Sequence, residues 1–144
     1  MAQGIDLFAE LKKEFDLKEV DIRTYSPLSL AFIGDSVYDL VIRSYVTGNG
    51  NTSNNSLHNK TIKYVSAKAQ ARIADSLKDS FSEEEMNIYK RGKNAKPSSG
   101  AKNAGLSEYM KATGFEALIG YLYMSGKTDR MLEIIKDAVG VINE

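Results

Sequence analysis

Asp35 and Glu116 are the two residues of this sequence whose surroundings make them chemically conspicuous. Each lies halfway along a run that is apolar almost all round: LSLAFIGDSVYDLVIRSYV over 28–46 and YMKATGFEALIGYLYM over 109–124. A carboxylate taken out of water loses several kcal/mol of hydration unless it is paired or bound to a cation. Neither run offers a lysine on the same face one turn away. Each acid alone could be satisfied by a buried hydrogen-bond donor. Two such acids in two central helices suggest a meeting, and carboxylates that meet need a shared proton or a metal ion between them. The chain has no cysteine and a single histidine, His58. Disulfides, thiolate nucleophiles, thiolate-bound zinc, iron–sulfur clusters, histidine triads and multi-histidine metal sites are therefore excluded. Any metal here is held by oxygen, which selects hard cations: Mg²⁺, with Mn²⁺ serving as well. With no second histidine to share a metal, His58 reads as a surface or capping residue.

The elements that must carry these acids are helices. Leu7, Phe8, Leu11 and Phe15 fall at helical spacing in a short first helix over 5–15. Ser26-Pro27 is a helix start, serine as N-cap and proline in the first turn, for a helix running to about Thr47 and ending at the GNGN tract. A third helix is expected from the mid-fifties to Leu77. Ser82 to Glu85 forms a capping box, with Phe81 and Met86 placed to staple it, for a helix ending at Gly92. KNAKPSSGAKNAG over 93–105 is loop by composition, and two further helices follow over 106–124 and 129–139. No alternating strand pattern persists, so the fold class is all-α, one domain over 1–144. Gly34, Gly114 and Gly120 sit beside the two acids, where glycine permits close helix approach or room for a ligand. Asp39 and Thr113 lie one turn from Asp35 and Glu116 on the same faces, placed to support them.

The 19 basic and 19 acidic residues cancel, but they are zoned. Residues 40–74 hold no acid and five bases, Arg43, Lys60, Lys63, Lys68 and Arg72; residues 86–107 hold no acid and five more, Lys90, Arg91, Lys93, Lys96 and Lys102. Should the two stretches share a face, the molecule has a positive side suited to a polyanion. No run reaches the ~18 apolar residues of a membrane span. The amino end carries no signal-peptide pattern, and with no cysteine the chain fits a cytoplasmic protein without a membrane partner.

Four segments in order, LAFIGDSVY over 30–38, YVSAKAQARIA over 64–74, RGKNAK over 91–96 and FEALIGYLY over 115–123, resemble the ribonuclease III catalytic domain. The resemblance is closest to its short stand-alone bacterial class, the Mini-III ribonucleases. It implies an all-helical homodimeric bundle that cuts double-stranded RNA with a divalent metal. Asp35 then matches the acid of the signature motif and Glu116 the acid of the late helix, as catalytic and metal-holding residues. The wider family has two further acids, where this sequence has Ala31 and Thr113. That reduction is similar to the Mini-III class, whose kinship implies trimming of precursor 23S ribosomal RNA. Duplex RNA is gripped through phosphates and 2′-hydroxyls in its wide minor groove. The expected contacts are Lys60, Lys63 and Lys68 along one side of the third helix, and Arg91, Lys93, Lys96 and Lys102 at and in the basic loop. The competing reading is a catalytically silent RNA- or ribosome-binding helical protein that kept the fold and lost the site. A helical nucleotide pyrophosphohydrolase fits less well, since such sites use Glu-x-x-Glu pairs on core helices and the one dense acid run, Glu83 to Glu85, opens a surface-type helix.

Overall fold

In the computed structural model, which describes residues 6–95 and 105–144, seven helices are α1 (Leu7–Glu14), α2 (Pro27–Gly48), α3 (Asn54–Val65), α4 (Ala67–Leu77), α5 (Glu83–Lys93), α6 (Gly105–Met124) and α7 (Thr128–Asn143). Short 3-10 turns precede α2 and follow α4, and no strand occurs among the described residues. Serine does most of the local work. Ser26, Ser53, Ser66 and Ser82 each accept a hydrogen bond from the backbone N–H three residues on, which satisfies a donor the first turn leaves unpaired. At α5 the capping box is complete: Glu85 N–H donates to Ser82 Oγ at 3.1 Å and Ser82 N–H to Glu85 Oε1 at 2.9 Å.

The expected third helix is two. Ser66 leaves the helical region (φ −62, ψ 156), closing α3 and capping α4 through Ala69 N–H. The chain bends there because Ser66 offers its side chain to the next helix, an option a continuous helix lacks. The last helix also runs four residues past its expected end, to Asn143.

α6 is the axis of the molecule, with α2, α4 and α5 packed around it and α7 beside α4. From Ala112 to Leu122 every residue of α6 is buried except Glu116, which is half-buried. That enclosure is what an all-round apolar helix requires. α2 departs from it. Leu30, Tyr38 and Ile42 are buried, but Leu28, Phe32, Asp35 and Leu40 are exposed, because among the described residues no helix covers that side of α2. No helix of the described residues is long and apolar enough to cross a membrane.

Candidate active site

The meeting of the two acids is set by backbone contact between α2 and α6. A Cβ on Gly34 would fall onto the Glu116 carbonyl and within 2.7 Å of the Gly120 nitrogen; one on Gly120 would fall onto the Leu30 carbonyl. With glycine at both points the two helices touch main chain to main chain, closer than any side chain allows. Asp35 follows Gly34, and Glu116 is the residue whose carbonyl Gly34 touches. The two carboxyl groups are near enough for the charge of Asp35 to act on Glu116. Both line one cleft of about 450 Å³, walled by Ala31 and Phe32 of α2, Gln70 of α4, and Tyr109, Ala112 and Thr113 of α6.

The pair divides unequally. Asp35 stands at the exposed side of α2, so the sequence-based expectation that both acids are enclosed is corrected for this one. Glu116 bears the burial, and its carboxyl is pushed up to about 8, first by desolvation and then by the charge of Asp35, against a hydrogen bond from Gln70 that favours ionisation. Gln70 is only 2% exposed; its Nε2 donates to the Val65 carbonyl at 3.0 Å and to Glu116 Oε2 at 3.3 Å. Its Oε1 is buried and accepts nothing from the described residues, an arrangement that ordinarily costs about 1–3 kcal/mol. These residues suit a hard divalent ion. Two carboxylates forced together lack a positive charge, and magnesium needs only one or two protein carboxylates, keeping water at its other positions. Among the described residues no third acid or histidine joins them as a ligand cluster.

The remaining expected residues are scattered. Thr113 lines the cleft, but its hydroxyl donates to the Tyr109 carbonyl at 3.0 Å. Asp39 accepts from Arg43 Nε at 2.8 Å and is not among the residues lining the cleft. Lys60 and Lys63 belong to α3 and Lys68 to α4, so the break at Ser66 removes the shared helix side expected for them. Lys63 Nζ lies 5.5 Å over the Tyr64 ring. Arg91 is half-buried and donates to the Tyr25 carbonyl at 3.4 Å, tying α5 to the turn before α2. Lys93 ends α5, while Lys96 and Lys102 lie outside the described residues. His58 is exposed, as expected, beside Arg43, Asn54 and Asn55.

Sequence reasoning missed Gln70, whose only signal is an amide within an otherwise apolar stripe of α4. It also passed over Lys111, which with Lys68 and Arg72 borders a second groove of about 490 Å³ between α4 and α6. Lys111 is tied to Asp75 at 2.9 Å, whereas no ion pair holds Lys68 or Arg72 among the described residues.

Comparison with known proteins gives this geometry its context. A model of the Ribonuclease III domain matches residues 28–127, which takes in both acids, both glycines and Gln70. Over 117 residues the chain is 48% identical to the Mini-ribonuclease 3 of Brevibacillus brevis, covering 81% of this chain and 87% of that one. Over 128 residues it is 45% identical to the Mini-ribonuclease 3 of a Thermoanaerobacter species, covering 89% and 90%. A crystal structure of a Fusobacterium nucleatum protein superposes with a TM-score of 0.74 at 34% identity, covering 85% of this chain and 98% of that one. With the two acids on one cleft and relatives alike over most of their length, the chain belongs to the ribonuclease III family of endoribonucleases.

Proposed function

We propose that this chain is a divalent-metal-dependent endoribonuclease that cuts double-stranded RNA as a homodimer, each copy acting as one catalytic domain over 1–144. The observation that carries the reading is the convergence of Asp35 and Glu116 on one cleft, where burial and the charge of Asp35 push the Glu116 carboxyl up. Asp35 and Glu116 hold the ion, Asp35 from the open side of α2 and Glu116 from the half-buried middle of α6. When bound, Mg²⁺ or Mn²⁺ supplies the charge that makes water nucleophilic towards phosphorus and stabilises the departing 3′-oxygen, leaving a 5′-phosphate. Ala31, Phe32 and Ala112 give the cleft an apolar wall beside the two acids. Lys68 and Arg72, on the same seam between α4 and α6, are placed to meet backbone phosphates beside the cut. Lys60, Lys63, Lys93, Lys96 and Lys102 extend that contact in this reading.

A second copy is the natural cover for the exposed side of α2. Leu28, Phe32 and Tyr109 line the cleft yet are 44%, 82% and 42% exposed, an apolar rim of the kind that marks an interface. Tyr38 of the same helix is buried, its hydroxyl donating to the Tyr64 carbonyl at 2.9 Å. The resemblance to the Mini-III class supports precursor 23S ribosomal RNA as the duplex matured, in a cytoplasmic setting.

The test is Asp35→Asn, an isosteric change on an exposed side. Duplex RNA incubated with Mg²⁺ should be cut by the wild type, left intact by the variant and left intact with chelator, while helical circular dichroism stays unchanged. Cleavage retained by Asp35→Asn refutes the assignment. RNA that is shifted in a gel but never cut by the wild type favours the silent binder.

A further inference from the structure

We propose that Gln70 is a positioning residue of the catalytic pair, its side-chain amide fixing the Glu116 carboxylate in the orientation that accepts the metal ion. The proposal rests on the reading of Asp35 and Glu116 as the metal-holding acids, and goes beyond it to a residue on a third helix.

Three observations carry it. First, both hydrogens of the Gln70 amide are spent on directional bonds: one goes to the Val65 carbonyl at 3.0 Å, the other to Glu116 Oε2 at 3.3 Å. Val65 ends α3, where the chain turns at Ser66 into α4, so that carbonyl is freed by the bend and anchored by backbone. Gln70 thus ties Glu116 to a fixed point on neither α2 nor α6. Second, the bond to Val65 settles which end of the amide faces Glu116, because a carbonyl accepts only from the N–H side. One Glu116 oxygen is therefore engaged by Gln70, while the other remains for Asp35 and a cation. Third, Gln70 Oε1 is buried with no donor among the described residues, so the amide is not there for its own hydrogen-bonding balance. A methionine or leucine would fill α4's apolar stripe without that penalty. Polar groups kept in a core at a loss are expected where function retains them.

The placement also makes sense of the missing acids. Ala31 and Thr113 flank the cleft where the wider family carries carboxylates, and Gln70 lines the same cleft. A neutral amide orients the remaining acid without adding negative charge to a pair that already repels. A carboxylate with its orienting partner removed typically loses about 10- to 100-fold in metal affinity.

The experiment measures Mn²⁺ binding directly, by electron paramagnetic resonance of the free ion, on the full chain without RNA. Wild type, Asp35→Asn and Gln70→Met are compared, with thermal unfolding of each recorded in parallel. The expectation is that Gln70→Met weakens Mn²⁺ binding at least about 10-fold. The Mn²⁺ concentration for half-maximal cleavage should rise by the same factor, and the metal-free protein should melt no earlier than wild type. A merely structural role would lower the melting point and leave the affinity of the folded fraction alone. Equal Mn²⁺ affinity in Gln70→Met and wild type overturns the role of Gln70 and leaves the acids' assignment standing. Wild type that binds no Mn²⁺, or binds it undiminished in Asp35→Asn, overturns the metal reading and this inference with it. If Gln70→Met loses its helical signal, Gln70→Asn answers in its place. It keeps a buried amide but falls one methylene short of Glu116, and unaltered affinity there refutes the proposal equally.

Discussion

At the residue scale the defining fact is that one of two neighbouring acids is held on the wrong side of its ordinary titration. Glu116 is raised from 4.5 to about 8 by burial and by Asp35. A carboxyl whose folded pKa exceeds its unfolded one binds a proton more tightly when folded, so stability falls as pH rises between the two values. Without divalent cation, stability should therefore decline from about pH 5 to pH 8 by an amount on the order of a few kcal/mol, and the melting temperature with it. Glu116→Gln should flatten the decline and raise the metal-free melting point at pH 8 while abolishing cleavage. A scan of melting temperature against pH for both proteins, with chelator, checks this; parallel curves would contradict it. The acids themselves were legible in the sequence because each interrupts an apolar helix. The inequality between them was not, since which side of α2 stays open depends on tertiary packing. Gln70 was equally hidden: a glutamine four residues into α4 reads as solvated until α6 is laid against it.

At the scale of elements, the helices announced themselves through their caps and apolar spacing. The bend at Ser66 did not, because Tyr64-Val-Ser-Ala-Lys-Ala-Gln continues a helical pattern straight through the break. The crossing of α2 and α6 is the element-level device that matters. Gly34→Ala and Gly120→Ala should each destabilise the protein by about 1–3 kcal/mol, as overpacking does, and slow cleavage more than the stability loss explains, because the helices must part. Gly140→Ala is the control: an added Cβ there meets nothing within 4 Å, in the exposed flank of α7. That change should raise stability by up to about 1 kcal/mol and leave cleavage alone. Urea denaturation of the three variants, alongside cleavage rates, distinguishes the crossing from glycine substitution in general.

At the scale of the molecule, zero net charge conceals two acid-free basic stretches, and an apolar rim of Leu28, Phe32 and Tyr109 borders the candidate cleft. The rim predicts self-association. Wild type should sediment as a dimer, and Phe32→Ser should shift it towards monomer with lower cleavage of duplex; a monomeric wild type would defeat the assignment. The all-α class was readable from periodicity alone. The exposed stripe was not, because an apolar residue left exposed looks in sequence like one facing the core.

Main-chain contact at Gly34 and Gly120 has a last consequence for how this enzyme fails. The spacing of the two helices that carry its acids is written in the backbone, so heat cannot part those helices while leaving the bundle whole. Heat should then offer no intermediate that is folded but idle. Residual activity after brief heating and loss of ellipticity should trace one curve, for the wild type and for a variant stabilised far from the acids, such as Gly140→Ala.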